Sequence, residues 1–166
     1  MKRSKKIVVL AHCLLNVNSK IKGLANYSAH HGEVLKRVVE EDLGIIQLPC
    51  PEITYLGMDR WGMTKNQYNY PAYRNHCREM LKPVVDQIVE YQRQNYEVVE
   101  LIGIDGSPSC GIHYTETGYK GGMIDCENSL RQVTTRVYEP GVFMEVFLEL
   151  LKEHEVQIKV SGIEEK

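Results

Sequence analysis

The 166-residue chain has five cysteines but no CxxC pair, which removes the zinc-ribbon and thioredoxin spacings. An odd cysteine count in a chain of this size also argues against a disulfide framework. No GxGxxG motif is present, so nothing in the sequence argues for a dinucleotide cofactor. No apolar run approaches the ~20 residues needed to cross a bilayer. The short run Ile7 to Leu10, behind a basic start, is too brief for the central region of a signal peptide. The formal net charge is only -2, which gives no general attraction to nucleic acid or to an anionic membrane. There is no internal repeat and no low-complexity tract. These absences leave an expectation of a cytoplasmic protein without nucleic-acid or membrane partners.

What is present is ordinary globular material. Hydrophobic residues make up 43% and charged residues 25% of the chain, enough for one domain over residues 1–166 with a substantial core. Lys6 to Ala11 is nearly continuous in apolar residues and reads as a strand covered on both faces. Glu33 to Leu43 has helical spacing, with Gly44 as its stop signal. Ile45 to Leu48 and Val98 to Ile104 read as further buried strands. Between them, Ile53 to Tyr70 reads as a long loop that could serve as a lid, and Pro71 starts a helical region running to about Asn95. Pro83 would kink that region or divide it. Residues 112–138 have weak periodicity and read as irregular. Pro140 suits a first helical turn and is followed by an apolar stripe through Leu151. Val156 to Val160 reads as the last strand. Strands alternating with helices imply an α/β fold: a three-layer, mostly parallel sheet of Rossmann-like or flavodoxin-like type, joined by right-handed crossovers.

Three cysteines, Cys13, Cys50 and Cys110, each fall just past the C-terminal end of a predicted strand. In an open α/β sheet that edge is where ligands bind. Residues remote in sequence are thereby expected to meet, and three thiolates suit a soft metal centre with an open position. A [4Fe-4S] cluster held by three cysteines keeps one iron free. Zinc is the rival, with His12 or, better placed, His113 as fourth ligand. Cys77 lies in a helical stretch and reads as core packing, and Cys126 reads as a bystander.

The neighbours of these cysteines carry further chemistry. Glu52, two residues after Cys50, could act as a general acid or base. Ser107 and Ser109 could hydrogen-bond a substrate carbonyl or a sulfide, although serines also build turns. Asp105 could cap its loop or face the pocket. Trp61 and the tyrosines around it suit a lid, a base-stacking wall or the contact of a homodimer.

At Cys13-Leu14-Leu15, Cys50-Pro51-Glu52 and Ser107-Pro108-Ser109-Cys110-Gly111, the chain resembles the bacterial 2-thiouracil desulfidase (TudS) family. The resemblance covers roughly Lys6 to Gly111. It implies a [4Fe-4S] cluster on Cys13, Cys50 and Cys110, with Glu52, Ser107 and Ser109 at the substrate. It further implies removal of sulfur from a small thiolated compound such as a thionated nucleobase, with sulfide released or passed to an acceptor. The first loop departs from the family pattern, running Asn16-Val17-Asn18-Ser19-Lys20 after Leu15, so that half of the pocket differs. Two other readings of the residues remain beside this one. One is a zinc-stabilised or metal-free module binding a small ligand. The other is a persulfide sulfur carrier, which requires an exposed cysteine of depressed pKa.

Overall fold

The structure, a computed structural model, describes residues 2–119, 121 and 134–165. In chain order the elements are β1 (Lys6–Leu10), α1 (His12–Leu15), a 3-10 turn (Val17–Ser19), α2 (Gly32–Glu40), β2 (Gly44–Gln47), α3 (Pro51–Leu56), α4 (Lys65–Tyr68), α5 (Pro71–Arg93), β3 (Glu97–Ile104), β4 (Thr115–Thr117), β5 (Thr135–Val137), α6 (Val142–Glu153) and β6 (Lys159–Ile163).

Four strands form a parallel sheet in the order β2-β1-β3-β6, the flavodoxin-like order without its fifth strand. β4 and β5 pair separately as a short antiparallel ladder. β1 lies between β2 and β3, and Val8 to Leu10 are essentially inaccessible, as a strand covered on both faces requires. α5 buries Tyr73, Cys77, Leu81, Val85 and Ile88, one stripe at helical spacing. It packs against α6, on the face that right-handed crossovers assign to both. Cys77 is a core residue, as expected. A buried carboxylate interrupts the apolar reading of β3: Glu100 is paired with Arg37 of α2 at 2.6 Å and with Lys159 of β6 at 3.1 Å. No helix among the described residues is long and apolar enough to cross a membrane.

Several element bounds differ from expectation, each for a local reason. α2 stops at Glu40 because Asp42 takes a left-handed conformation, φ 53°, and the Leu43 N–H turns back to the Val38 carbonyl. Gly44 therefore opens β2 rather than ending the helix. α5 runs through Pro83 without a break, because Pro83 lies on the exposed side, where water can replace the lost bond. The last strand begins three residues later than predicted. Val156 is buried at the exit of α6, its N–H bonded to the Leu151 carbonyl, and pairing with β3 starts only at Lys159. Residues 53–70 hold α3 and α4 rather than a plain loop. Of the irregular stretch 112–138, positions 120 and 122–133, with Cys126, lie outside the described residues.

The turn after β3 is packed backbone to backbone against the start of α6. The N–H groups of Val142 and Met144 donate to the carbonyls of Pro108 and Ser109 at 2.9 and 3.1 Å. First-turn donors that a helix cannot satisfy internally are thus satisfied by the turn that carries Cys110. Such an approach leaves no room for a side chain: a Cβ on Gly141 would stand 2.5 Å from the Ser109 carbonyl carbon. Gly141→Ala is accordingly expected to cost about 1–3 kcal/mol through forced backbone movement, read as a lowered urea midpoint with unchanged slope.

Candidate functional site

The order β2-β1-β3 makes the C-terminal ends of β1 and β3 a switch point, where the chain leaves in opposite directions. Cys13, Cys50 and Cys110 follow the strands at this edge. β1 ends with the Ala11 N–H bonded to the Ile102 carbonyl at 2.9 Å. Cys13 then sits in α1, not in an open loop as the sequence suggested. Cys50 is the N-cap of α3, with Pro51 in the first turn. Proline's fixed φ and absent N–H suit that position, so Pro49-Cys50-Pro51 is a strand exit followed by a helix start. Cys110 closes the turn after β3. Its carbonyl accepts the Ile104 N–H at 2.9 Å, and its own N–H donates to Ser107 Oγ at 3.0 Å.

The three thiols lie within electrostatic reach of one another. Burial raises the Cys110 thiol well above its ordinary value, and Cys13, Cys50 and Glu52 push it further up. Cys13 is pushed up to about 12, chiefly by burial, with Lys20 opposing and Glu165 and Cys50 adding. Burial also raises Cys50, while the N–H groups of Ile53 and Glu52 favour its thiolate. Cys13 and Cys110 thus resist ionising partly because other thiols lie near them.

A persulfide carrier needs a depressed, exposed thiol. Each described cysteine shifts the other way, and none is exposed. Among the described residues no three His, Cys, Asp or Glu side chains are gathered around a single-ion position. Zinc, the rival, requires all its ligands about 2.0–2.3 Å from one point. His113 Nδ1 lies 2.7 Å from Asp105 Oδ2, and His12 Nδ1 lies 3.1 Å from the Leu48 carbonyl. Asp105 is a loop cap: it also accepts the N–H groups of Ile112 and His113 at 3.0 and 2.9 Å. Burial would raise its pKa, but these donors outweigh burial and hold it below the usual carboxylate range.

Glu52, in the first turn of α3, is buried beside Cys50 and paired through Oε2 with Arg60 Nε at 3.0 Å. Arg60 was not a sequence candidate. It lies eight residues on, among glycines and methionines without periodicity, and only the turn at Gly57 brings it back. Tyr68 was missed as well. The capping box of Thr64 and Gln67 starts α4 and sets Tyr68 into the core. Its hydroxyl is buried beside Glu52, and burial first and then that carboxylate raise it above the ordinary phenol range.

The two serines are engaged within the protein. Ser107 Oγ accepts the N–H of Cys110, the bond that shapes the turn. Ser109 is fully buried, its hydroxyl 3.0 Å from Tyr73 Oη. Tyr73 packs against Tyr68 with ring centroids 4.8 Å apart and against Tyr55 at 5.3 Å. Trp61 is 64% exposed. On the other side of the site Tyr27 Oη lies 3.1 Å from the Cys13 carbonyl and 3.0 Å from Glu165, which also pairs with Lys20.

The chain is similar to the uncharacterized protein MJ0003 of Methanocaldococcus jannaschii, at 41% identity over 110 residues, 66% of this chain and 70% of that one. Among solved structures it is similar to the [4Fe-4S]-dependent thiouracil desulfidase TudS, at 17% identity and a TM-score of 0.49, over 94% of this chain and 91% of that one. The family described as putative 2-thiouracil desulfurase matches residues 5–122, a span that contains all three strand-end cysteines, Glu52 and Arg60. The chain belongs to that 2-thiouracil desulfurase family.

Proposed function

We propose that this chain is a [4Fe-4S]-dependent desulfidase that removes sulfur from a small thionated compound, a thionated nucleobase first among them, by hydrolytic, non-redox cleavage. Cys13, Cys50 and Cys110 would hold the cluster. The observation that carries the reading is that these three desolvated thiols follow strands at one sheet edge, close enough that Cys50 raises Cys13 and both raise Cys110. The donor set fits such a group. A four-iron cluster takes its thiolates on separate irons, so it needs them near one another but not around one point. Its iron also supplies the positive charge that three crowded thiolates lack. When bound, the cluster supplies a Lewis-acidic iron with affinity for sulfur.

The remaining chemistry belongs to the chain's own residues. Glu52 is the only acidic side chain in the first turn of α3, and its Oε2 is taken by Arg60. Oε1 accepts a proton from the attacking water. The water oxygen bonds to the carbon, the carbon–sulfur bond breaks, and both water protons leave with sulfur as hydrogen sulfide. Glu52 carries one of these protons across, and no electrons are exchanged. Ser107 serves by holding the Cys110 turn. Ser109, joined to Tyr73, fixes the wall behind it.

Two outcomes check the assignment. Cys110→Ala, prepared without oxygen and reconstituted with iron and sulfide, is expected to lose the roughly four irons and four sulfides per chain that define the cluster. Retention of both in full would contradict the ligand assignment. Glu52→Gln is expected to keep the cluster while its turnover of 2-thiouracil drops by about 10²-fold or more, the usual contribution of a positioned acid–base group, measured as uracil and sulfide formed.

A further inference from the structure

Arg60 belongs to no motif, yet its side chain is only 3% exposed. All three guanidinium nitrogens are engaged. Nε donates to Glu52 Oε2 at 3.0 Å, Nη1 to the Gly57 carbonyl at 2.9 Å and Nη2 to the Ser19 carbonyl at 2.5 Å. The acceptors come from α3, from the turn that ends α3, and from the 3-10 turn that follows Cys13. A planar fork held at three points cannot swivel. It grips one oxygen of the carboxylate, Oε2, and makes no bond to the other, Oε1. The flank of Glu52 is closed by the buried Tyr68 hydroxyl.

We propose that Arg60 is the positioning residue of this site: by gripping Oε2 it presents Oε1 of Glu52 to the bound compound, and it ties that carboxylate to the segment following Cys13. The proposal rests on the desulfidase reading. Lysine keeps the charge but offers a single nitrogen, which cannot reach three acceptors in a plane. Arg60→Lys therefore separates geometry from charge.

The test uses the reconstituted protein, wild type beside Arg60→Lys, Arg60→Met, Glu52→Gln and the double variant Glu52→Gln/Arg60→Met. Iron and acid-labile sulfide counts, visible spectrum, thermal midpoint and kinetics on 2-thiouracil are read together. Both Arg60 variants are expected to keep wild-type iron and spectrum and to lose about tenfold or more in kcat, with KM moving much less. Adding Arg60→Met to Glu52→Gln is expected to cost no further activity, because Arg60 acts through Glu52. The proposal is overturned if Arg60→Lys is fully active. It is also overturned if activity falls in step with iron or thermal midpoint, or if the two losses multiply in the double variant. Where Arg60→Met does not fold, Arg60→Lys carries the test. A fully loaded wild type inactive on thionated pyrimidines overturns the desulfidase reading and this proposal together. An active wild type with iron-poor Arg60 variants overturns this proposal alone.

Discussion

Three desolvated thiols within reach of one another are the constraint from which the rest of the site follows. Burial disfavours each thiolate, and neighbouring thiols add to this for Cys13 and Cys110, so all three resist ionisation. A parallel sheet is the scaffold that permits such crowding: its strand ends lie side by side, and each delivers one loop. The carbonyls and N–H groups at that edge are already spent on one another, as in the bonds from Ala11 to Ile102 and from Leu48 to Leu10.

Cys110 is braced from three sides. Its turn is shaped from within by Ser107, from the side by Asp105, and from behind by the start of α6. Glycines at 103, 111 and 141 are the places where backbone meets backbone too closely for a Cβ. The Ser-Pro-Ser-Cys-Gly segment thus does two jobs. It presents a thiol to the site and supplies the carbonyls that begin a helix.

Much of this was legible in the residues. Unbroken apolar runs with a cysteine just beyond them marked both the parallel strands and the edge at which they end. Glu52 was visible because it stands two residues from Cys50. The roles of the serines were harder to read, since a hydroxyl that builds a turn and one that faces a ligand look the same in sequence. Ser107 Oγ accepts the Cys110 N–H within its turn, and Ser109 Oγ lies 3.0 Å from Tyr73 Oη. Arg60 and Tyr68 carried no signal at all: an arginine eight residues from its carboxylate has no periodic relation to it until a left-handed Gly57 turns the chain.

By itself, then, the sequence determined the alternation of elements, the burial of the sheet and the placing of three cysteines at strand ends. All of these depend on local patterns of apolar residues and turn formers. The tertiary structure alone decided that the thiols approach one another without converging on a single ion position, that His12 and His113 turn to a carbonyl and a carboxylate, and that a buried arginine grips one oxygen of Glu52. Those outcomes depend on distances between segments far apart in the chain. Such distances are set by strand register and loop closure, which no local pattern encodes.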